Sequence, residues 1–447
     1  MNVLARSSIC CALLLGASRA AFGQASLTGL GFLTQTNSSS YAYGISADGS
    51  TVVGEGVSPA TTIGEACYQR AGVLSGVGVA PGATSVRSVA NACSSTGSFL
   101  VGYTRYSASA ALFRAYRYDT AAASWVVLDG AGTVSSANAC NGAGDILAGY
   151  GNGFTVAGVP AGNRVACKWR IISPTQINTN ALGVLPGDSS STANGTTGAV
   201  TVGESFTSST ARAFVHSQSA MMPLPTIAGG PNAFGARAIS ADGSTIVGYA
   251  TAPGEQSPRA VAWKQVAGVW TINDLGRLPG GTGAELEAAN ADGTVLVGNA
   301  LEFLALDPQA VVWTQSGGLR TLASILTGAG INLTGWDLQY ATGISADGTK
   351  VVGWGLHNQQ WEGFIATLPP PGPTPCNAAD VAGLGGSIGP DGQLTADDVV
   401  VYLAAFFSNN LAVADIAVLG GAPGHDGQLT ADDIVYFLSQ FFSPCNP

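Results

Sequence analysis

Two stretches near the C-terminus carry the densest candidate chemistry of the chain: DGQLTADD from Asp391 to Asp398, repeated from Asp426 to Asp433. Ca2+ takes oxygen ligands from carboxylates, carbonyls and hydroxyls, and a glycine at the sixth place of a twelve-residue loop lets the backbone turn round the ion. With Asp391 fifth, Gly392 falls sixth, the Gln393 carbonyl seventh, Thr395 ninth and Asp398 twelfth. The second copy matches with Asp426, Gly427, Gln428, Thr430 and Asp433. The first and third places depart, because Ser387 and Gly389, or Ala422 and Gly424, bring no carboxylate. The nearest upstream acids are Asp380 and Asp415, each of which must reach across seven inserted residues to complete a cage. The expectation is two Ca2+ sites. The same letters also read as helix starts, with Thr395 and Thr430 as N-caps and Asp398 and Asp433 three residues on, where acids meet the positive end of the helix dipole.

Charge agrees with a cation partner. From Cys376 to Pro447 there are eight aspartates and no Lys or Arg, so this piece supplies -8 of the net -10, and the 19 acidic and 17 basic residues before it supply -2. Nucleic acid is not an expected partner of such a chain.

Elsewhere reactive residues are sparse. Glu55, Glu204, Glu285 and Glu287 are candidates for the paired carboxylates of a polysaccharide-cleaving enzyme, which stand roughly 5 to 10 Å apart. Nothing in the sequence brings two of them together. No nucleophile motif, histidine-rich metal site or phosphate loop occurs; His216 and His357 are the histidines of the long N-terminal region. No catalytic residue is assigned. Among loop aromatics, Trp361 is a carbohydrate-binding candidate.

Cysteines and the N-terminus bear on compartment. Arg6, an apolar run from Ile9 to Ala17 and small residues after it read as a secretory signal over residues 1–23, too short to span a bilayer. Cys10 and Cys11 leave with it, and an even six remain. Cys376 and Cys445 bracket the terminal region and are expected to pair. Cys67, Cys93, Cys140 and Cys167 allow three connectivities; loop size favours 67 with 93 and 140 with 167, with buried free thiols as the alternative.

What positions these residues is a repeat. ISADGSTVVG at 45, ISADGSTIVG at 239, NADGTVLVG at 290 and ISADGTKVVG at 344 are clear copies, and CSSTGSFLVG at 93, CNGAGDILAG at 140 and NGTTGAVTVG at 194 are eroded ones. The closing glycines are Gly54, Gly102, Gly149, Gly203, Gly248, Gly298 and Gly353, with gaps of 45 to 55 residues. Each unit places an Asp-Gly turn between two apolar segments, then an aromatic segment such as RAFVH at 212 or RAVAW at 259, then often LGVLPG or LGRLPG. Asp-Gly between apolar runs predicts a two-residue type I′ hairpin. Asp48, Asp242, Asp292 and Asp347 are therefore assigned to turns, and the third-segment aromatics to packing between units.

Four strands in each of seven units predict a mainly β, seven-bladed β-propeller over residues 24–368, with an open repeat array as the alternative. PPPGPTP at 369–375 predicts an extended spacer of roughly 20 Å. Residues 376–447 form a small helical domain of two copies, 379–407 and 414–442. Val399, Tyr402, Leu403, Phe406 and Phe407 share one helical face, and Ile434, Phe437, Leu438, Phe441 and Phe442 another, so the two are expected to bury these faces together.

The repeats resemble the HAF repeats of secreted bacterial proteins, a resemblance over about residues 27–368 that implies an extracellular location and no particular activity. The tail, in its two DGQLTADD copies, paired phenylalanines, flanking cysteines and inserted Gly-Gly loop, resembles a GC-type dockerin, an EF-hand-like calcium module. That resemblance implies attachment to a cohesin-like or cell-surface partner. The expected function is a secreted, non-catalytic propeller that binds a glycan, surface polymer or protein; the alternative is a polysaccharide hydrolase or lyase.

Overall fold

The computed structural model describes residues 24–34, 39–58, 61–83, 87–107, 112–128, 131–231, 233–302, 307–369, 377–383, 387–388, 394–418, 421–424 and 427–443. Residues 1–23, read above as a secretory signal, most of the proline spacer, Cys376 and Cys445 lie outside them.

The local unit is set by the Ser-Ala-Asp-Gly turn. Ser46 C=O accepts from Gly49 N–H at 2.9 Å, and Ser46 N–H donates to Thr51 C=O at 2.8 Å. The Asp48 carboxylate accepts from the Ser46 and Ser50 hydroxyls and from Ser50 N–H. Asp242 and Asp347 repeat the arrangement. Only the glycine has positive φ, as at Gly49 (66°) and Gly243 (75°). The two-residue type I′ hairpin expected from Asp-Gly is thus corrected to a four-residue turn ending in a left-handed glycine, because Ser46 and its counterparts supply the closing hydrogen bonds. The aspartates belong to the turns, as expected.

Strands flanking these turns build seven four-stranded antiparallel sheets. The fifth is typical: Phe234–Ile239, Thr245–Ala250, Arg259–Val266 and Val269–Gly276, in that order. The first strands of successive sheets touch their neighbours in a closed ring, the seventh returning to the first. This is a seven-bladed β-propeller.

Closure uses an element that the repeat pattern did not predict. Blade 7 takes three strands, Trp336–Ile344, Lys350–His357 and Gln360–Thr367, from the end of the repeats, and its fourth, Ser26–Gly29, from their start. Ser26 pairs with Thr367 and Gly29 with Phe364. The legible signal was that unit seven runs into proline without an LGxLPG segment, while LTGLGFL stands at residues 27–33.

The seven closing glycines have one cause. A Cβ built on Gly54, Gly102, Gly149, Gly203, Gly248, Gly298 or Gly353 would overlap a backbone carbonyl oxygen of the paired first strand. Between blades, Tyr116, Trp169, Phe214, Trp263 and Phe364 are fully buried, which bears out the packing role of the third-segment aromatics. Blade 6 adds a short helix, α1 (Leu322–Gly328).

In the tail, α2 (Ala396–Phe407), α3 (Leu411–Ala414) and α4 (Ala431–Phe441) surround a core of Ala379, Tyr402, Ala405, Ala414 and Phe437. Tyr402 and Phe437 stack at 3.9 Å between centroids. The expected helix faces are corrected in part: Leu403 and Leu438 are exposed, and Phe407 and Phe442 are 80% and 81% exposed. The buried face is centred on Val401, Tyr402 and Ala405, one step round the helix from the phenylalanine pairs.

Gly248→Ala is expected to cost about 3 kcal/mol by overpacking against Gly235 C=O. A lowered denaturant midpoint measures it, and an unchanged midpoint refutes the close-approach account.

Candidate binding site at the mouth of the propeller channel

Every first strand slips register against its partner after Ala42, Ala90, Ala137, Ala193, Ala236, Leu286 or Ala341, and those of blades 6 and 7 slip a second time, after Gly281 and Leu338. A bulge leaves one residue unpaired and re-aims its side chain. At the shared slip the bulged residues are Tyr43, Asn91, Asn138, Asn194, Arg237, Glu287 and Thr342, and all seven line one cavity of about 630 Å³. Several also tie blade to blade. Asn91, Asn138 and Asn194 each donate through Nδ2 to a carbonyl of the following blade, on Ala137, Ala193 and Ala236, at 2.9, 3.0 and 2.9 Å. Thr342 Oγ1 donates to Ala42 C=O at 2.8 Å. Sequence reasoning missed this ring, although its members stand eleven residues before the closing glycine in six repeats and nine before it in the fourth.

The residue after each closing glycine adds a second tier, of which Tyr103 and Tyr150 reach the same cavity. On blades 2, 3, 5 and 7 this tier is aromatic, with Tyr103, Tyr150, Tyr249 and Trp354. Trp354 stacks on Tyr340 at 4.0 Å and meets Tyr41 and Trp361 edge-on at 5.3 and 5.4 Å. Tyr41 in turn stacks with Tyr43. Trp361, the sequence-stated carbohydrate candidate, joins this cluster and is 37% exposed.

On blade 4 the tier is Glu204, which joins charged first-strand residues of blades 5 and 6. Arg237 meets Glu204 at 3.0 Å, Glu285 at 3.1 Å and Glu287 at 3.8 Å, and lies over the Tyr249 ring at 5.0 Å. Burial raises the Glu204 and Glu287 carboxyls above their ordinary range, with Arg237 opposing. Burial works against the Arg237 charge, but the glutamates outweigh it and hold the guanidinium protonated. Three of the four candidate glutamates therefore converge although they come from two blades. Glu55 stands apart, accepting from Arg87 Nε at 3.1 Å and from the Tyr43 hydroxyl at 3.4 Å. Its carboxyl is also raised by burial, against the pull of Arg87.

The other candidates lie elsewhere. His357 Nδ1 pairs with Glu362 at 2.6 Å and its ring stacks on Trp336. His216 lines a separate cavity of about 510 Å³ with Lys168; burial and that lysine lower its pKa. Cys67, Cys93, Cys140 and Cys167 are free thiols. Neither pairing favoured by loop size is made, because Cys67 and Cys167 are buried in third strands while Cys93 and Cys140 line the channel.

In the tail, Thr395 and Thr430 cap α2 and α4 in full capping boxes. Asp398 accepts from Val381, Ala382 and Thr395 N–H at 2.8, 2.8 and 2.7 Å, and Asp433 from Ile416, Ala417 and Thr430 N–H at 2.9, 2.9 and 2.8 Å. The inserted residues fold out as two small hairpins, Ala382–Gly383 with Ser387–Ile388 and Ala417–Val418 with Ala422–Pro423. Asp415 consequently reaches the loop glycine, accepting from Gly427 N–H at 2.8 Å. Asp380 is buried like Asp415, and Gln428 is exposed. Asp391, Gln393 and Asp426 lie outside the described residues. Among the described residues, no group of three or more His, Cys, Asp or Glu is arranged to hold a metal ion. Nor is any helix among them long and apolar enough to cross a membrane.

The sequence matches no protein-family model and no curated protein. The structure is similar to an oligogalacturonate lyase solved in complex with manganese, with a TM-score of 0.50 and 14% identity over 78% of this chain and 95% of that one. It is also similar to an oligogalacturonate lyase from Vibrio parahaemolyticus, with a TM-score of 0.47 and 12% identity over 78% and 98% of the two chains. At such identity the likeness is one of fold, and it agrees with the propeller.

Carboxyls raised by burial favour the protonated fold. Their contribution to stability is complete below the unfolded glutamate pKa of about 4.3 and is lost as pH rises through the raised folded values. Thermal melts between about pH 4 and 8 should therefore show stability falling with pH less steeply in Glu287→Gln than in the parent protein; equal slopes refute the assignment.

Proposed function

We propose that the protein is a secreted, non-catalytic propeller that binds a glycan at its channel mouth and is held to a scaffold or cell-surface partner by a calcium-binding, dockerin-like tail. The observation that carries the binding reading is the aromatic cluster ending in exposed Trp361, set beside a cavity walled by asparagine, tyrosine, arginine and glutamate. Aromatic faces cover the apolar C–H faces of sugars, and fixed amides and charges orient hydroxyls. Trp361→Ala should weaken binding of the glycan selected from a polysaccharide panel by about tenfold, from a contact of ~1.5 kcal/mol, without altering the melt. Unchanged affinity places the ligand elsewhere.

A second reading, a polysaccharide hydrolase or lyase, draws on the convergence of Glu204, Glu285 and Glu287. The same panel decides between them. Release of soluble sugar that disappears in Glu287→Gln replaces the binder with the enzyme.

For the tail, the donor set suits Ca2+. Asp380 and Asp398 in one copy, and Asp415 and Asp433 in the other, are buried carboxylates in a region without a single Lys or Arg. Ca2+ takes carboxylate oxygens, and a carboxylate that accepts N–H bonds, as Asp398 and Asp433 do, still has lone pairs for an ion. These four, with Asp391, Gln393, Thr395, Asp426, Gln428 and Thr430, are the proposed ligands. The attachment surface is the exposed stripe Val400, Leu403 and Phe407, repeated as Val435, Leu438 and Phe442. Calcium added to chelator-treated full-length protein should bind at two sites and in Asp415→Ala at one; no uptake by the parent protein refutes the metal. Phe407→Ser with Phe442→Ser should move the protein from the surface fraction to the medium with calcium binding intact, and unchanged partitioning refutes this surface.

A further inference from the structure

The end of the channel nearest the Asp-Gly turns is lined by a ring two residues beyond each bulge, and Cys93 and Cys140 occupy adjacent places in it on blades 2 and 3. Both line a cavity of about 340 Å³ on the channel axis, among Ile45, Thr196, Ile239 and Ile344. The two strands are pinned on either side of the thiols. Asn91 Nδ2 holds Ala137 C=O at 2.9 Å on one side, and Ser95 N–H holds Gly142 C=O at 2.9 Å on the other. First strands come to backbone contact at the residue before this ring. A Cβ built on Gly44 would lie 3.5 Å from Ala92 Cα, one on Gly343 3.3 Å from Gly44 Cα, and one on Gly195 3.1 Å from Ala238 Cα. Adding a C–C bond of ~1.5 Å puts neighbouring Cα atoms within about 5 Å. Blades 2 and 3 carry the same bulge with Ala92 and Ala139 at that place, and an equal approach there sets the following residues, Cys93 and Cys140, within the Cα separation of about 4.4 to 6.8 Å that a disulfide spans.

We propose that Cys93 and Cys140 are a reversible oxidation site, forming a disulfide between blades 2 and 3 across the channel wall. A diffusible disulfide is the oxidant. One thiol, deprotonated, attacks it and forms a mixed disulfide, releasing one thiol of the reagent; the second protein thiolate then attacks the first protein sulfur and releases the other. The protein loses two electrons and two protons, and the reagent becomes two thiols. Burial raises both thiols, Cys140 to about 12, and Cys140 adds to the rise at Cys93, so exchange is slow and quickens with pH. Cys67 and Cys167 take no part: Cys67 is influenced by Glu55 and Glu65 rather than by a second thiol, and Cys167 by burial alone.

The test equilibrates the full-length protein with cystamine or with dithiothreitol, alkylates remaining thiols in denaturant, and maps the non-reduced digest by mass spectrometry. The expected product is a Cys93 peptide joined to the Cys140 peptide, reversed by dithiothreitol, with Cys67 and Cys167 alkylated. The oxidised protein should melt several degrees higher, because the cross-link restrains the unfolded chain. In Cys93→Ser, Cys140 should carry alkyl or cysteamine and join no other cysteine. Separate cysteamine adducts on Cys93 and Cys140, full alkylation of both after cystamine, or a bond from either to Cys67 or Cys167 overturns the proposal. Because the map is made on the parent protein, failure of a variant to fold leaves the decision intact.

Discussion

Backbone contact between seven first strands around one axis is the constraint on which the rest of this structure depends. Strands this close leave no room for a side chain larger than a methyl between them, which is why Gly44, Ala92, Ala139, Gly195, Ala238, Ala288 and Gly343 follow the bulges. The same crowding empties the second strands at their closing glycines, where any Cβ would overlap a carbonyl. The bulge and the residue after the closing glycine escape this restriction and carry varied side chains, from Tyr43 and Arg237 at the bulges to Glu55, Tyr103 and Trp354 after the glycines.

Burial of polar groups near the axis is stabilised by local partners. Ser88, Ser135 and Ser191, all buried, accept from the third-strand amides of Ala66, Ala115 and Ala166 in the preceding blade. The turns carry the ring further, with Ala346 N–H donating to Ala47 C=O and Asp48 N–H to Ser95 C=O. Inter-blade cohesion is therefore both apolar and hydrogen-bonded, and an unmade bond would cost about 1–3 kcal/mol at each buried group. The Arg237 cluster departs from this economy. One guanidinium serves three glutamates, two of them raised by burial, and such concentration of charge at a cavity is typical of sites kept for binding or chemistry.

The tail solves a different problem with the same aspartates. Asp398 and Asp433 each gather three backbone N–H groups, joining the chain before the inserted hairpin to the helix after it. One side chain thus serves both the capping box and the bracing of the segment before the hairpin. Asp415 meets Gly427 because the intervening residues pair among themselves as a hairpin.

Much of the propeller was written locally. The period, the Asp-Gly turns and the third-segment aromatics depend on neighbours a few residues away, so the sequence alone indicated seven units of four strands and the turn role of Asp48 and Asp242. Helix caps at Thr395 and Thr430 were legible for the same reason. What only the tertiary structure decided involves residues from different repeats. Glu204 meets Glu285 and Glu287 because ring closure sets blade 4 near blade 6 through Arg237 of blade 5, a relation that no spacing within a unit encodes. Strand Ser26–Gly29 finds blade 7 because the circle needs a fourth strand there, and Phe407 and Phe442 turn outward because Tyr402 and Phe437 already fill a small core. Local hydrogen bonding and sterics act at short range and can be read in order; convergence around an axis is a property of the closed ring.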